Sequence, residues 1–243
     1  MYSIALRELR FYFGNISGYI LLIIYLSINT VLLWFLDNPY NILNFNFGDL
    51  SPFFLINPFL LCLLIPALSM RSFSQEKING TIEILVTKPL KPIDIFGGKF
   101  FGIGLILLIT IAPTLFNIIA LSSLLDFQSN LDLGKLISSY VGLFFLGVLF
   151  LSSSICCSLV FKNQVASFLT STLFCFVQYF LFDLVANYFS NPYLYDLIIN
   201  IGVKTHYENL ISGIIQVNDL IYFVGINIVF FAFGIALIKK GQD

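Results

Sequence analysis

Residues 50–70 read LSPFFLINPFLLCLLIPALSM, a stretch without a single Asp, Glu, Lys, Arg or His. Crossing about 30 Å of hydrocarbon takes roughly 20 apolar residues at about 1.5 Å each, so this stretch has the length and chemistry of a transmembrane helix. Five further runs lack the same residue types: Phe11–Leu36, Phe100–Leu125, Leu136–Phe161, Asn163–Phe182 and Leu220–Ile238. They are apolar on every side, whereas barrel strands are about ten residues long and alternate in polarity. The expected architecture is an all-α integral membrane protein: one domain over residues 1–243, with six spans near 14–36, 51–70, 100–124, 137–160, 164–183 and 220–238.

Composition agrees. The 243 residues are 58% hydrophobic and 10% charged, against roughly a quarter charged in soluble domains. A free cytosolic enzyme is excluded. A net charge of −1 provides no basic field for nucleic acid. With the N-terminus inside, Arg7, Arg10, Arg71, Lys77, Lys88, Lys91, Lys99, Lys162, Lys239 and Lys240 fall on one side, and only Lys135 and Lys204 on the other. Lys and Arg concentrate on cytoplasmic segments, so both termini are expected in the cytoplasm of a multi-pass inner (plasma) membrane protein.

Before the first span, Tyr2, Leu6, Leu9 and Phe13 recur at helical spacing, opposite Ser3, Arg7 and Arg10. That is an interfacial helix, its apolar stripe among acyl chains and its arginines near lipid phosphates. Pro52, Pro58 and Pro66 in the second span and Pro113 in the third predict bends, because proline removes a backbone donor. The spans contain hydroxyls and amides, such as Asn29, Thr110, Thr114, Ser152–Ser154 and Asn227, but no ionisable side chain. Ion-coupled carriers typically place a charge there. These groups read as links between helices or as a polar translocation surface.

Cys62, Cys156, Cys157 and Cys175 lie inside spans and read as packing residues. The only histidine, His206, reads as a surface or interfacial imidazole. No metal site and no cofactor is implied.

The connection Arg71–Lys99 carries eight charges, after a stretch of chain that has almost none. Ile78, Ile82 and Leu85 fall on one helical face, and Lys77, Thr81 and Lys88 on another. This predicts an amphipathic helix outside the bilayer, stopped by Pro89 and Pro92, with Asp94 capping the helix that re-enters through Gly97, Gly98 and Lys99. Mixed charge (Glu76 and Glu83 among the lysines) suits contact with a protein better than with a lipid surface. The docking candidates are Glu76, Lys77, Ile78, Gly80, Thr81, Ile82, Glu83, Leu85, Lys88 and Pro89.

The segment Met70–Pro89, MRSFSQEKINGTIEILVTKP, resembles the signature of ABC-2-type transporter permeases. In that family Glu-Lys, Gly-Thr, Glu, Leu and Pro recur in this order after the second span. Val86 stands where many relatives have Leu. Within the family, Asp49–Phe54 and Met70–Ser74 are similar to the gliding-motility-associated permease of Bacteroidota.

The resemblance implies an exporter permease without its own ATPase, driven by an ABC-type ATP-binding subunit and paired with a second copy or a related permease. The string Gly97-Gly98-Lys99-Phe100 lacks the spacing and the hydroxyl of a phosphate-binding loop. By this reading the docking helix senses closure of the ATPase: Glu76, Lys77, Glu83 and Lys88 set register at the rim, and Gly80 permits close backbone approach. Two other classes remain open, an ATP-independent channel or carrier and a membrane scaffold that recruits cytoplasmic partners.

On the far side, residues 184–219 place Leu194, Leu197, Ile198 and Ile201, then Leu210, Ile211, Ile214 and Ile215, at helical spacing, which predicts two short interfacial helices. They read as an external gate, or as a lid or contact for a periplasmic or membrane companion. Asp219 reads as the N-cap of the sixth span. Gly102, Gly104, Gly142 and Gly147 allow close helix packing within one chain or between chains.

Overall fold

The computed structural model describes residues 1–44, 49–80, 91–124 and 131–240, and every regular element among them is helical. Helix α1 (Tyr2–Gly14) ends where Asn15 turns extended; α2 (Ile16–Thr30) then continues through a π-helical turn at Val31–Phe35 as span one. Span two is α3 (Ser51–Ser69), which runs on past Met70 into α4 (Arg71–Ile78). Span three is α5 (Pro92–Ile111), a 3₁₀ turn at Ala112–Leu115 and α6 (Phe116–Leu124). Spans four, five and six are α7 (Leu133–Val160), α8 (Gln164–Ala186) and α11 (Val217–Lys240), with α9 (Pro192–Ile199) and α10 (Val203–Ile211) between the last two. Six segments are long and apolar enough to cross a bilayer.

Charge-free runs locate the spans but not their ends. Span three begins at Pro92 rather than near 100, because proline suits a first helical turn and Lys99 lies inside the bundle instead of closing the helix. Its N-cap is Lys91; Asp94 is in the first turn, where a carboxylate complements the helix dipole, so the expected cap is displaced by three residues. Asp219 likewise belongs to the first turn of α11. True side-chain caps stand at Asp132 and Asn163, whose Oδ1 atoms accept from the amides of Lys135 (3.1 Å) and Val165 (2.9 Å).

Spans two and four form the enclosed centre, and the other four expose most of their surface. Gly142 faces Leu210 and Gly147 faces Leu107 in the same chain, so these small residues serve packing within one bundle.

Helix α1 lies across the start of span three. A Cβ on Gly98 would come within 2.7 Å of Ile4 Cβ, and one on Gly102 within 2.9 Å of Glu8 Cβ, so the helices meet at a distance that only glycine allows. The face of α1 packed on the bundle is Ile4, Ala5, Glu8 and Tyr12, which leaves Tyr2, Leu6, Leu9 and Phe13, the stripe expected among acyl chains, on its other sides. That apolar stripe stays exposed or half-buried, because the lone carboxylate of α1 turns inward to a lysine.

Pro52 occupies the first turn of span two, where it bends nothing, whereas Pro58 and Pro66 sit inside the helix. Pro58 has no N–H to offer the carbonyl of Phe54, four residues earlier. That carbonyl instead accepts from the hydroxyl of Tyr207 on α10, at 2.8 Å. Beside it, the fully buried Asn57 accepts from Tyr25 (2.5 Å) and donates to Asn29 (3.2 Å), joining spans one and two.

Candidate functional site

Three elements converge on Lys99, which is wholly buried although it carries a charge. Its Nζ lies 3.3 Å from Glu8 Oε1 on α1 and 3.0 Å from Glu76 Oε1 on α4. It also donates to the carbonyl of Ser72 and stands 4.5 Å above the Phe73 ring. Arg7 closes the outer side, 2.6 Å from Glu76 and 3.4 Å from Glu8. An isolated buried ammonium would cost several kcal/mol of lost hydration, so two carboxylates, a carbonyl and an aromatic face are the setting it needs. The cluster fastens α1 to the end of span two and the beginning of span three.

The expected docking residues divide around this cluster. Glu76 faces inward with a side chain 14% exposed, rather than standing at a rim. Lys77 donates to the carbonyl of Leu159 and so ties α4 to the end of span four. Ile78, the last helical residue, is 59% exposed. Gly80 adopts φ +67, and a Cβ there would meet nothing within 4 Å. It ends α4 in the left-handed region, which glycine enters without steric cost. Thr81, Ile82, Glu83, Leu85, Lys88 and Pro89 lie outside the described residues.

Helical spacing does not single out the pairing of Glu8 with Lys99. The signal for Glu8 was present: it is the only acid in the first 36 positions, placed on a helix whose partner begins with Gly97-Gly98-Lys99.

At the opposite end of the bundle, His206 is not a surface imidazole. Its Nε2 lies 2.8 Å from the carbonyl of Asn200, an atom that only accepts, so Nε2 carries a proton. Its Nδ1 is 2.6 Å from Asp219 Oδ1, and the ring stacks on Tyr222 at 3.9 Å. Asp219 is 1% exposed and binds α10 to the start of span six, which is why it is not a simple cap. The two short helices expected here are present, but they differ. Helix α9 buries no residue, whereas α10 buries Val203, Tyr207, Leu210 and Ile211; Ile214 and Ile215 fall beyond its end and are exposed. Helix α10 therefore reaches into the bundle, where Tyr207 bonds the Phe54 carbonyl that Pro58 leaves without an amide. Lys204 pairs with Asp183 at 2.7 Å, and Lys135 with Asp49 at 2.7 Å.

Among the described residues no three His, Cys, Asp or Glu side chains converge as metal ligands, and the four cysteines are free thiols. The geometry is that of a membrane bundle with ionic fastenings at its two ends and, between them, a carbonyl freed by Pro58 and held by the Tyr207 hydroxyl. The family described as ABC-2 family transporter protein matches residues 2–241. No curated protein matches the chain.

Proposed function

Since the chain belongs to the ABC-2 family of transporter proteins, we propose that it is the permease subunit of an exporter whose ATP hydrolysis resides in a separate ABC-type ATP-binding subunit. Family membership and six membrane-crossing helices make it a multi-pass transport protein. In this reading the ATP-binding subunit contacts residues 76–89. The observation that carries the proposal is the Lys99 cluster at the root of that segment, where Glu76, Glu8 and Arg7 lock the chain on either side of the segment into one block. A force applied to residues 81–90 then enters spans two and three together. Span two carries it to the Pro58 bend, and Tyr207 passes it to α10.

The end of the bundle holding Arg7, Arg71, Lys77, Lys99, Lys162 and Lys239 is cytoplasmic in this reading, and the excess of cations there supports it. A bacterial inner membrane follows from the same resemblance that suggests a gliding-motility role. Because spans one, five and six bury little of themselves, a second copy or a related permease completes the membrane portion.

The test is Glu83→Lys in the complex with the ATP-binding subunit, together with a cysteine at Ile82 for crosslinking. We expect E83K to insert and remain folded while most of the permease-dependent ATPase stimulation disappears, and the Ile82→Cys crosslink to capture the ATP-binding subunit. Normal stimulation in E83K, or a crosslink that captures only phospholipid, refutes the assignment.

A further inference from the structure

We propose that the cleft between α1 and α4 binds the phosphodiester of a membrane phospholipid, with Arg71, Ser72, Gln75 and Asn79 as donors. The cleft has a volume of about 180 Å³ and is bounded on the α1 side by Arg7, Glu8 and Phe11. Arg71, Gln75 and Asn79 follow one another at intervals of four, so a single stripe of α4 presents a guanidinium and two amides to it.

Three observations point to an anion. First, Arg71 makes one hydrogen bond among the described residues, to the Ser17 hydroxyl at 3.2 Å, although a guanidinium has five N–H donors. Second, the Ser72 hydroxyl is 3% exposed, lines the cleft and has no hydrogen-bond partner. Such a group pays a desolvation cost unless something reaches it. Third, the charges of the described residues at the cleft leave a remainder. Arg7, Arg71 and Lys99 stand against Glu8 and Glu76, and the two carboxylates are already bridged by Arg7 and Lys99. The positive charge left over is that of Arg71, and one monoanionic phosphodiester neutralises it.

The position identifies the source. Arg71 follows directly on the apolar run 51–70 and touches Ser17 at the start of span one, the depth at which lipid phosphates lie. Basic pockets between helices at this level bind anionic headgroups. Phe11 supplies an apolar wall for the glycerol end of the lipid. The site requires only that the chain is membrane-embedded, and it stands or falls independently of the ATP-binding partner.

The full chain, purified without any partner in mild detergent and delipidated, is titrated with phosphatidylglycerol and examined by native mass spectrometry. We expect one tightly retained lipid per chain. Arg71→Gln should lower retention about tenfold or more, the scale of a lost charge-assisted contact. Asn79→Leu, at an exposed position that does not endanger folding, should lower it severalfold, and Arg10→Gln should leave it unchanged. Millimolar glycerol 3-phosphate should not displace the lipid. Wild-type retention in N79L together with R71Q, or an equal loss in R10Q, overturns the site. Displacement by glycerol 3-phosphate overturns the lipid as its occupant.

Discussion

Replacing Tyr207 by Phe removes one hydroxyl and nothing else, and the structure says what that hydroxyl does. Tyr207 is fully buried and donates at 2.8 Å to the carbonyl of Phe54, which is itself 1% exposed. In an unbroken helix that carbonyl would accept from the amide of residue 58, but residue 58 is proline. Average hydrogen bonds between membrane helices contribute about 0.6 kcal/mol, because alternatives exist. A carbonyl stranded in the interior costs about 1–3 kcal/mol. Here the natural alternative has been deleted, so Y207F should cost more than that average, about 1–2 kcal/mol. For a chain of this size that is a fall in Tm of about 2–8 °C. The cause is isolated by repeating the substitution in a Pro58→Ala background, where the amide of residue 58 becomes available to Phe54. There Y207F should cost less than about 0.5 kcal/mol, giving a coupling within the range for residues that share a partner. Thermal unfolding of the four proteins in mild detergent measures the cycle. Equal losses in both backgrounds would refute the proposed substitution of hydroxyl for amide.

Two further outcomes follow from the ionic contacts. Lys99→Met should destabilise by about 3–5 kcal/mol, because Glu8 and Glu76 lose their shared ammonium, and adding Glu8→Gln should recover part of the loss in thermal unfolding. The Asp49 carboxyl is pushed up by burial but held below its ordinary value by hydrogen bonds from Lys135 and Ser51, so its folded pKa is depressed. Its contribution is therefore complete above the ordinary aspartate value of about 3.9 and is lost as pH falls through the folded value. The Tm difference between wild type and Asp49→Asn should shrink as pH is lowered from 6 to 3; a constant difference would show that the pair contributes nothing.

The spans were legible because hydrocarbon is an unforgiving solvent: a run such as Leu136–Phe161, free of charge for its whole length, has few other uses. The short helices α9 and α10 were legible from spacing, but the buried face of α10 was not. Periodicity identifies an apolar stripe without saying whether lipid or protein covers it. For α1 the stripe assigned to lipid leaves the protein-facing side unspecified, and Glu8 decides it by pairing with a residue 91 positions away. Lys99 and His206 were misplaced because charge was equated with surface. A sequence records that a residue is ionisable, not that carboxylates from other helices wait for it. The position of Pro58 announces a missing backbone donor, while the hydroxyl that takes its place sits 149 positions downstream of that proline.

The helix from Ser51 to Ile78 counts 28 residues, and at about 1.5 Å each it measures about 42 Å. Oil takes up about 30 Å of a bilayer, and the two hydrated layers bring the total to about 40–45 Å. With residues 51–70 filling the oil, the eight residues of α4 carry the rod about 12 Å beyond it. Gly80, whose left-handed turn ends that rod, therefore stands clear of the oil.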